Sequence, residues 1–346
     1  MRRIEVGLLY SRSGSYQLIS EACRKGALRG IKEVNGDPAL GLEIVPVERD
    51  PGGEADAYAP LCAEILTSGA RHVIGCVTSW SRKEVIPTLE RLGGVLWYAC
   101  PYEGFEASSQ VVYAHACPSQ HLVPLLRWAF PRWGRRAYLT GSNYIWGWEM
   151  NRVARDLALE AGGEVLGERY LALGDTDVGR MAEEVRATCP SFVLNNLVGA
   201  SSYAFLAEMA RLGPDRPPIL SCNLTECELP ALGGAAEGLI SAGPWFREGT
   251  GFGSSFEAAA HASVRTLAAR LAVDPDAALP RLLARREGPL AIDPATHHAT
   301  LPVLIAEVRD GAFEVLERWE AVAPDPYLAR RDRFARPVPR LASVAP

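Results

Sequence analysis

Short apolar runs alternate with segments of helical period along most of the chain. Residues 4–10 read as a strand. Residues 18–34 carry Ile19, Ala22, Cys23, Ala27, Ile31 and Val34 at helical spacing. Strand-like 42–47, helical 58–68, strand-like 72–76, helical 81–92 and strand-like 94–99 follow in order. These strands are nearly continuous apolar runs rather than alternating ones. That is the pattern of a parallel sheet covered by helices on both faces.

After Pro118 the pattern restarts, with helices at 121–130, 147–161, 177–187 and 201–211 and strands at 136–140, 164–170, 191–197 and 219–222. Two further helices, 254–272 and 276–286, have too little sheet of their own and are expected to return and cover the first unit. Residues 301–308 and 312–319 flank Asp310-Gly311 and predict a hairpin. The fold class predicted is therefore α/β, with two Rossmann-like lobes and a cleft bordered by the carboxyl ends of strands. Residues 331–346 form a Pro- and Arg-rich tail, expected to be exposed or to touch a partner.

A length of 346 residues suits two lobes, and 48% hydrophobic with 22% charged residues is ordinary for a chain that buries a core. The formal charge of −5 comes without a basic stripe. Arg2-Arg3 and the cluster of Arg330, Arg331 and Arg333 are too short to track phosphates, so no direct nucleic-acid contact is expected. No apolar run approaches the roughly 18 residues of a membrane span, so no insertion is expected either. Met1-Arg2-Arg3 leads straight into the first strand with no leader-like apolar segment, which predicts a cytoplasmic protein; a periplasmic one with its leader removed is the alternative. Eight cysteines form no CxxC pair and no metal-ligand spacing with the six histidines, the pattern of reduced thiols with neither metal nor cofactor.

No nucleophile elbow, zinc-protease helix or phosphate-binding loop occurs, and the run 249–253 has the wrong spacing for a dinucleotide loop and reads as a linker. A binding protein rather than an enzyme is expected. The contrary reading, a thiol-dependent amide hydrolase, would pair Cys76 or Cys100 with His115.

Several segments, in order, carry a family resemblance. They are Gly7-Leu-Leu-Tyr-Ser11 with Gly14, Asp50-Pro-Gly-Gly53, Gly75-Cys76 followed by Ser79 and Ser81-Arg-Lys83, and Tyr98. Pro101-Tyr-Glu-Gly-Phe-Glu106, Gly141-Ser-Asn-Tyr-Ile145, Val198-Gly199, Ala236-Glu-Gly238 and Asp325-Pro-Tyr327 continue the series. Together they resemble the type I periplasmic binding proteins, above all the cytoplasmic amide sensors that negatively regulate amidase operons. The urea and short-amide receptors of ABC importers are near relatives. The resemblance implies two lobes joined by three crossovers. One would hold 1–118 and 246–288, the other 119–245 and 289–330. It also implies a small polar ligand, an amide, urea or amino acid, bound between them. The partner implied is an RNA-binding antitermination regulator or, for an importer receptor, an ABC permease; a homodimer is compatible with either.

Candidate ligand-binding residues follow the strands. Ser79 comes after strand 72–76, where a hydroxyl and free helix N–H groups can meet a ligand oxygen. Thr78, Ser79 or Ser81 can equally cap the helix there, and Ser81-x-x-Glu84 reads as a capping box. Tyr98, Cys100, Pro101 and Tyr102 follow strand 94–99, and the resemblance sets them on the first-lobe wall. Cys100 stands where amide sensors carry a hydroxyl, a weaker partner in its place. Tyr144 matches a ligand-binding tyrosine of those sensors. Trp146 and Val77 each replace a tyrosine, which argues against simple acetamide as the ligand. Trp148 is expected to pack on a neighbouring helix. Gly199 offers backbone N–H groups, and Thr225 either caps a short helix or joins Glu226 at the ligand. Glu226 is the one carboxylate placed to meet an amino acid's ammonium; should it point away, the ligand is uncharged. Arg82 and Lys83 read as a solvated helix face.

Overall fold

The computed structural model describes residues 2–248 and 251–330. The tail expected at 331–346 lies outside them. The first lobe runs β1 (Arg2–Leu9), α1 (Gln17–Asn35), β2 (Leu42–Arg49), α2 (Tyr58–Thr67), β3 (His72–Gly75), α3 (Ser79–Leu92), β4 (Val95–Tyr98) and β5 (Val111–Tyr113). Its five strands are all parallel, in the order β2-β1-β3-β4-β5. All four residues of β3 and of β4 are buried, as strands sandwiched between helices must be.

The second lobe runs α4 (Leu122–Trp133), β6 (Arg136–Ser142), α5 (Ile145–Glu160), β7 (Glu164–Leu171), α6 (Gly179–Thr188), β8 (Phe192–Asn196), α7 (Ala200–Ala210), β9 (Ile219–Ser221), α8 (Leu229–Leu232) and β10 (Leu239–Gly243). The chain then returns to the first lobe as α9 (Ser255–Val273) and α10 (Leu279–Ala284), and ends in the second as β11 (Ala291–Ile292), β12 (Ala299–Arg309) and β13 (Ala312–Val322). The second sheet has eight strands in the order β11-β12-β10-β9-β8-β6-β7, with β13 paired to β12. Strands β6 to β10 are parallel, and β12 is antiparallel to β10, β11 and β13.

The return of α9 is made possible by glycine on α1. A Cβ on Gly26 would lie 2.0 Å from the Glu257 carbonyl oxygen, so the two helix backbones touch. The β12–β13 hairpin closes through Asp310 and Gly311, both at positive φ (51° and 74°), as a tight two-residue turn requires.

Three local expectations are corrected. Helix α3 begins at Ser79, because Thr78 is its cap and accepts from the Ser81 N–H at 3.1 Å. The Ser81–Glu84 capping box does not form: the Ser81 hydroxyl donates to the Thr78 carbonyl and Glu84 accepts from the Trp80 indole. Trp148, expected to pack on a helix, is 47% exposed and bonds to Asn143 at its surface.

Candidate functional site

Both sheets change strand direction of travel beside their earliest strand, at β1/β3 in the first and β6/β8 in the second. Loops leaving neighbouring strands diverge at such a point and open a crevice at the carboxyl ends. A narrow cavity of about 20 Å³ lies there, between the two lobes. From the first lobe it is lined by Val77, Thr78 and Ser79 after β3, by Tyr98, Cys100 and Pro101 at the end of β4, and by Ile19 and Phe256 from α1 and α9. The second lobe contributes Tyr144 and Trp146 after β6, Val198 after β8 and Asn223 after β9.

The turn from β3 into α3 is sharp. Cys76 takes φ of 64°, rare for a residue with a Cβ, and donates its N–H to the Leu9 carbonyl at 3.0 Å. Held conformations of this kind gather at functional sites. Here the turn sets Thr78 and Ser79 at the cavity wall. On the second lobe, the Trp146 indole N–H donates to the Asn196 carbonyl at 3.1 Å, which fixes the ring. The Tyr144 hydroxyl makes no hydrogen bond among the described residues, and burial pushes its pKa up.

Behind Ser79 lies a buried ionic network. Arg82 is fully buried; its Nη2 meets Glu103 at 2.8 Å and its Nε meets Glu106 at 2.8 Å. The guanidinium carbon sits 4.7 Å from the Tyr98 ring centroid and 4.9 Å from that of Tyr102. Lys83, on the outer side, reaches Glu106 at 2.7 Å. The expectation of a solvated face holds for Lys83, 41% exposed along its side chain, but fails for Arg82. Two carboxylates of the 101–106 segment pull Arg82 inward, and a single helix cannot reveal charges brought to it by a later loop.

The structure brings Thr78, Ser79, Tyr98, Cys100, Pro101, Tyr144 and Trp146 to one cavity, and leaves four other candidates outside its lining. Tyr102 stacks on Tyr113 at 4.6 Å and hydrogen-bonds to His298, supporting the wall from behind. Gly199 faces the other lobe, where the N–H of Ala200 donates to the Ser15 carbonyl at 3.2 Å. Thr225 caps a short helical turn in a capping box with Glu228. Glu226 accepts from the Arg247 backbone N–H at 2.6 Å, and burial pushes its carboxyl up to about 7. Ile19, Asn223 and Phe256 were not singled out by sequence. Asn223 follows a strand end, a signal available in advance. Phe256 arrives on a helix that rejoins the first lobe, and nothing local marks it.

The thiol–histidine pair of the hydrolase reading is not assembled. His115 Nε2 lies 3.2 Å from the Ser255 hydroxyl, and Nδ1 accepts from the Ala116 N–H. Burial pushes the Cys76 and Cys100 thiols up, away from the nucleophilic thiolate.

Residues 4–266 match the family model described as periplasmic binding protein domain. The chain belongs to that family. Solved structures of periplasmic binding proteins share its fold. A solute-binding protein of an ABC transporter from R. palustris, in complex with 4-hydroxybenzoate, is 19% identical and superposes with a TM-score of 0.80 over 93% of this chain and 98% of that one. An amino acid ABC transporter substrate-binding protein from Pseudomonas fluorescens is 18% identical, with a TM-score of 0.79 over 94% and 98%. A leucine-, isoleucine-, valine-, threonine- and alanine-binding protein from Brucella ovis, in its closed conformation, is 15% identical, with a TM-score of 0.79 over 94% and 97%. The two lobes of this periplasmic binding protein also touch across their cleft, through Ser15 and Ala200. No helix among the described residues is long and apolar enough to cross a membrane.

Proposed function

We infer that this protein is a solute receptor that closes its lobes over a small uncharged polar molecule, with short amides and urea the best-fitting class. The carrying observation is the chemistry of the cavity wall. Its twelve residues include no Asp, Glu, Lys, Arg or His. A carboxylate or an ammonium brought into such a space would be buried without a counter-charge, at a cost of several kcal/mol. Arg82, the nearest buried cation, already answers two carboxylates. Glu226, the candidate partner for an ammonium, is not among the lining residues. The aromatic faces of Tyr98, Tyr144 and Trp146 suit a planar group or a short apolar tail.

Groups of both lobes meeting one ligand favour the closed form, so occupancy is read by a partner as shape. The solved relatives, receptors of ABC transporters, favour an ABC importer as that partner. Resemblance of the 101–106 segment to amide sensors supports a second reading, in which an antitermination regulator takes the permease's place. Co-purification from a native host separates the two.

A thermal-shift titration with short amides, urea, branched-chain amino acids and benzoates tests the reading. A ligand that binds only the folded state raises the midpoint with concentration. Shifts with neutral amides or urea are expected; shifts confined to the charged ligands overturn the reading.

A further inference from the structure

The polar side chains of the cavity are unequal as donors and acceptors. Ser79 donates its proton to Glu103 in a short hydrogen bond, while Arg82 Nη1 donates to the same hydroxyl oxygen at 3.2 Å. Glu103 is ion-paired with Arg82, and a carboxylate has only acceptors to offer. The Ser79 proton therefore points away from the cleft, and what is left on Oγ is a lone pair.

Tyr98 repeats the arrangement: its hydroxyl donates to the Val77 carbonyl at 2.6 Å and keeps only acceptor capacity. The Trp146 N–H is engaged with Asn196, and one N–H of the Asn223 amide donates to the Leu197 carbonyl at 3.2 Å, which leaves its second N–H as a donor. Thr78 donates to the Ser81 hydroxyl at 3.1 Å. Tyr144 alone among these has an unengaged hydroxyl. The first-lobe side chains Ser79 and Tyr98 thus offer acceptors only, and a complementary ligand turns an N–H group towards them while the Tyr144 hydroxyl, the Asn223 amide and backbone N–H groups remain for its oxygen.

We propose that Glu103, which does not line the cavity, is its specificity-determining residue. By taking the Ser79 proton it fixes Ser79 as an acceptor and selects solutes that present an N–H towards the first lobe. The inference rests on the receptor reading above and adds the ligand's polarity and orientation. An –NH2 group meets Ser79 and Tyr98, and the ligand carbonyl turns to the Tyr144 hydroxyl. A ketone of the same shape leaves the Ser79 and Tyr98 oxygens facing apolar carbon. Sites built to hydrogen-bond a group reject analogues that lack it.

The test uses the full chain and two isosteric pairs: butyramide with 2-pentanone, and benzamide with acetophenone. Affinities are measured by titration calorimetry. In the native protein each amide is expected to bind at least about tenfold tighter than its ketone. In Glu103→Gln, Arg82 retains the side-chain oxygen, so the new NH2 faces Ser79 and turns the Ser79 proton to the ligand. The amide should then weaken and the ketone tighten, a reversal that simple damage to the wall does not produce. Equal binding of amide and ketone by the native protein overturns the proposal, as does an equal loss for both in Glu103→Gln. Should that variant not fold, Ser79→Ala replaces it: the amide preference must fall, and an unchanged ratio overturns the proposal. If none of the four probes binds and urea and the shorter amides leave the melting midpoint unmoved, the uncharged-solute reading itself fails and takes this inference with it.

Discussion

Arg82 grips Glu106 through two nitrogens, Nε at 2.8 Å and Nη2 at 3.3 Å, with no surface of its own exposed. Glu106 also accepts from the Tyr113 hydroxyl at 2.7 Å, and its backbone carbonyl from the Tyr327 hydroxyl at 3.2 Å. The pair thus ties α3 and β5 to the last described segment of the chain. Replacing the cation by Met leaves Glu103 buried without a counter-charge and Glu106 with Lys83 alone. Arg82→Met is expected to lower folding stability by about 3–5 kcal/mol, measured by urea unfolding. Lys83→Ala, which removes only the outer partner, should cost less than about 1 kcal/mol.

The pH dependence of stability is set by buried histidines against buried acids. Burial pushes His72 down to about 4, with Arg71 helping, and pushes His115 and His121 down to about 3. His298 is likewise lowered by burial, to about 4. Each is neutral when folded and takes a proton near 6.5 when unfolded, so its stabilisation is lost as pH falls below 6.5. Glu226 and Glu228 act oppositely: burial pushes both up to about 7, so they favour folding at low pH. Between about 4.5 and 6.5 the unfolded chain gains four protons on the histidines while the folded chain alone holds two on the acids. Stability should therefore fall as pH drops through that window. Glu228→Gln removes one opposing proton, and urea midpoints at pH 5 and 7 should then differ more than in the native protein.

Below that window Glu106 adds to the loss. Burial alone would raise its carboxyl, but the charge and hydrogen bonds of Arg82 and Lys83 overcome this and hold it at about 2. A group depressed in the folded state loses its contribution as pH falls from its ordinary 4.5 to that value. In Glu106→Gln the drop in midpoint between pH 4.5 and 2 should be shallower than in the native chain.

Trp146 is 3% exposed and lines the cavity, whereas Trp80 and Trp148 face solvent. A solute entering the cleft displaces water against the Trp146 face and leaves the surface indoles as they were. Titration with butyramide should change the intrinsic fluorescence, and Trp146→Phe should abolish the change while Trp148→Phe keeps it. Phenylalanine lacks the N–H that meets the Asn196 carbonyl, so the same variant is also expected to lose about 1–3 kcal/mol of stability.

How far the sequence reached is visible at four residues. Tyr144 and Ser79 were legible because each follows a strand whose apolar run marks it, and binding at strand ends is general to open α/β sheets. Resemblance then added which side chains to choose. Arg82 was misread because one helix viewed alone shows a polar position, whereas its burial depends on Glu103 and Glu106 arriving from the next loop. Phe256 was invisible for a different reason: α9 joins the first lobe only after the chain has built most of the second. Sequence periodicity reports local faces, and contacts made by a returning segment leave no trace in it. Strand β10 escaped for want of bulk, since its Ser-Ala-Gly end carries little hydrophobic signal.

Gly199 stands where the two lobes meet across the cleft by backbone, and it bears on closure itself. Its φ of 60° and ψ of −133° lie where only glycine is at ease, and a Cβ there would stand 1.8 Å from the Ser15 carbonyl oxygen. That oxygen is the acceptor for the Ala200 N–H at the head of α7, so a side chain at 199 breaks the one contact that closure makes there. Gly199→Ala should therefore weaken butyramide binding at least about tenfold, because the ligand must now close lobes that collide. Small-angle scattering in saturating ligand should report a larger radius of gyration than for the native protein. A variant that binds and compacts as the native chain does would mean that closure proceeds without the Ser15–Ala200 contact, and that Gly199 answers only the local turn from β8 into α7.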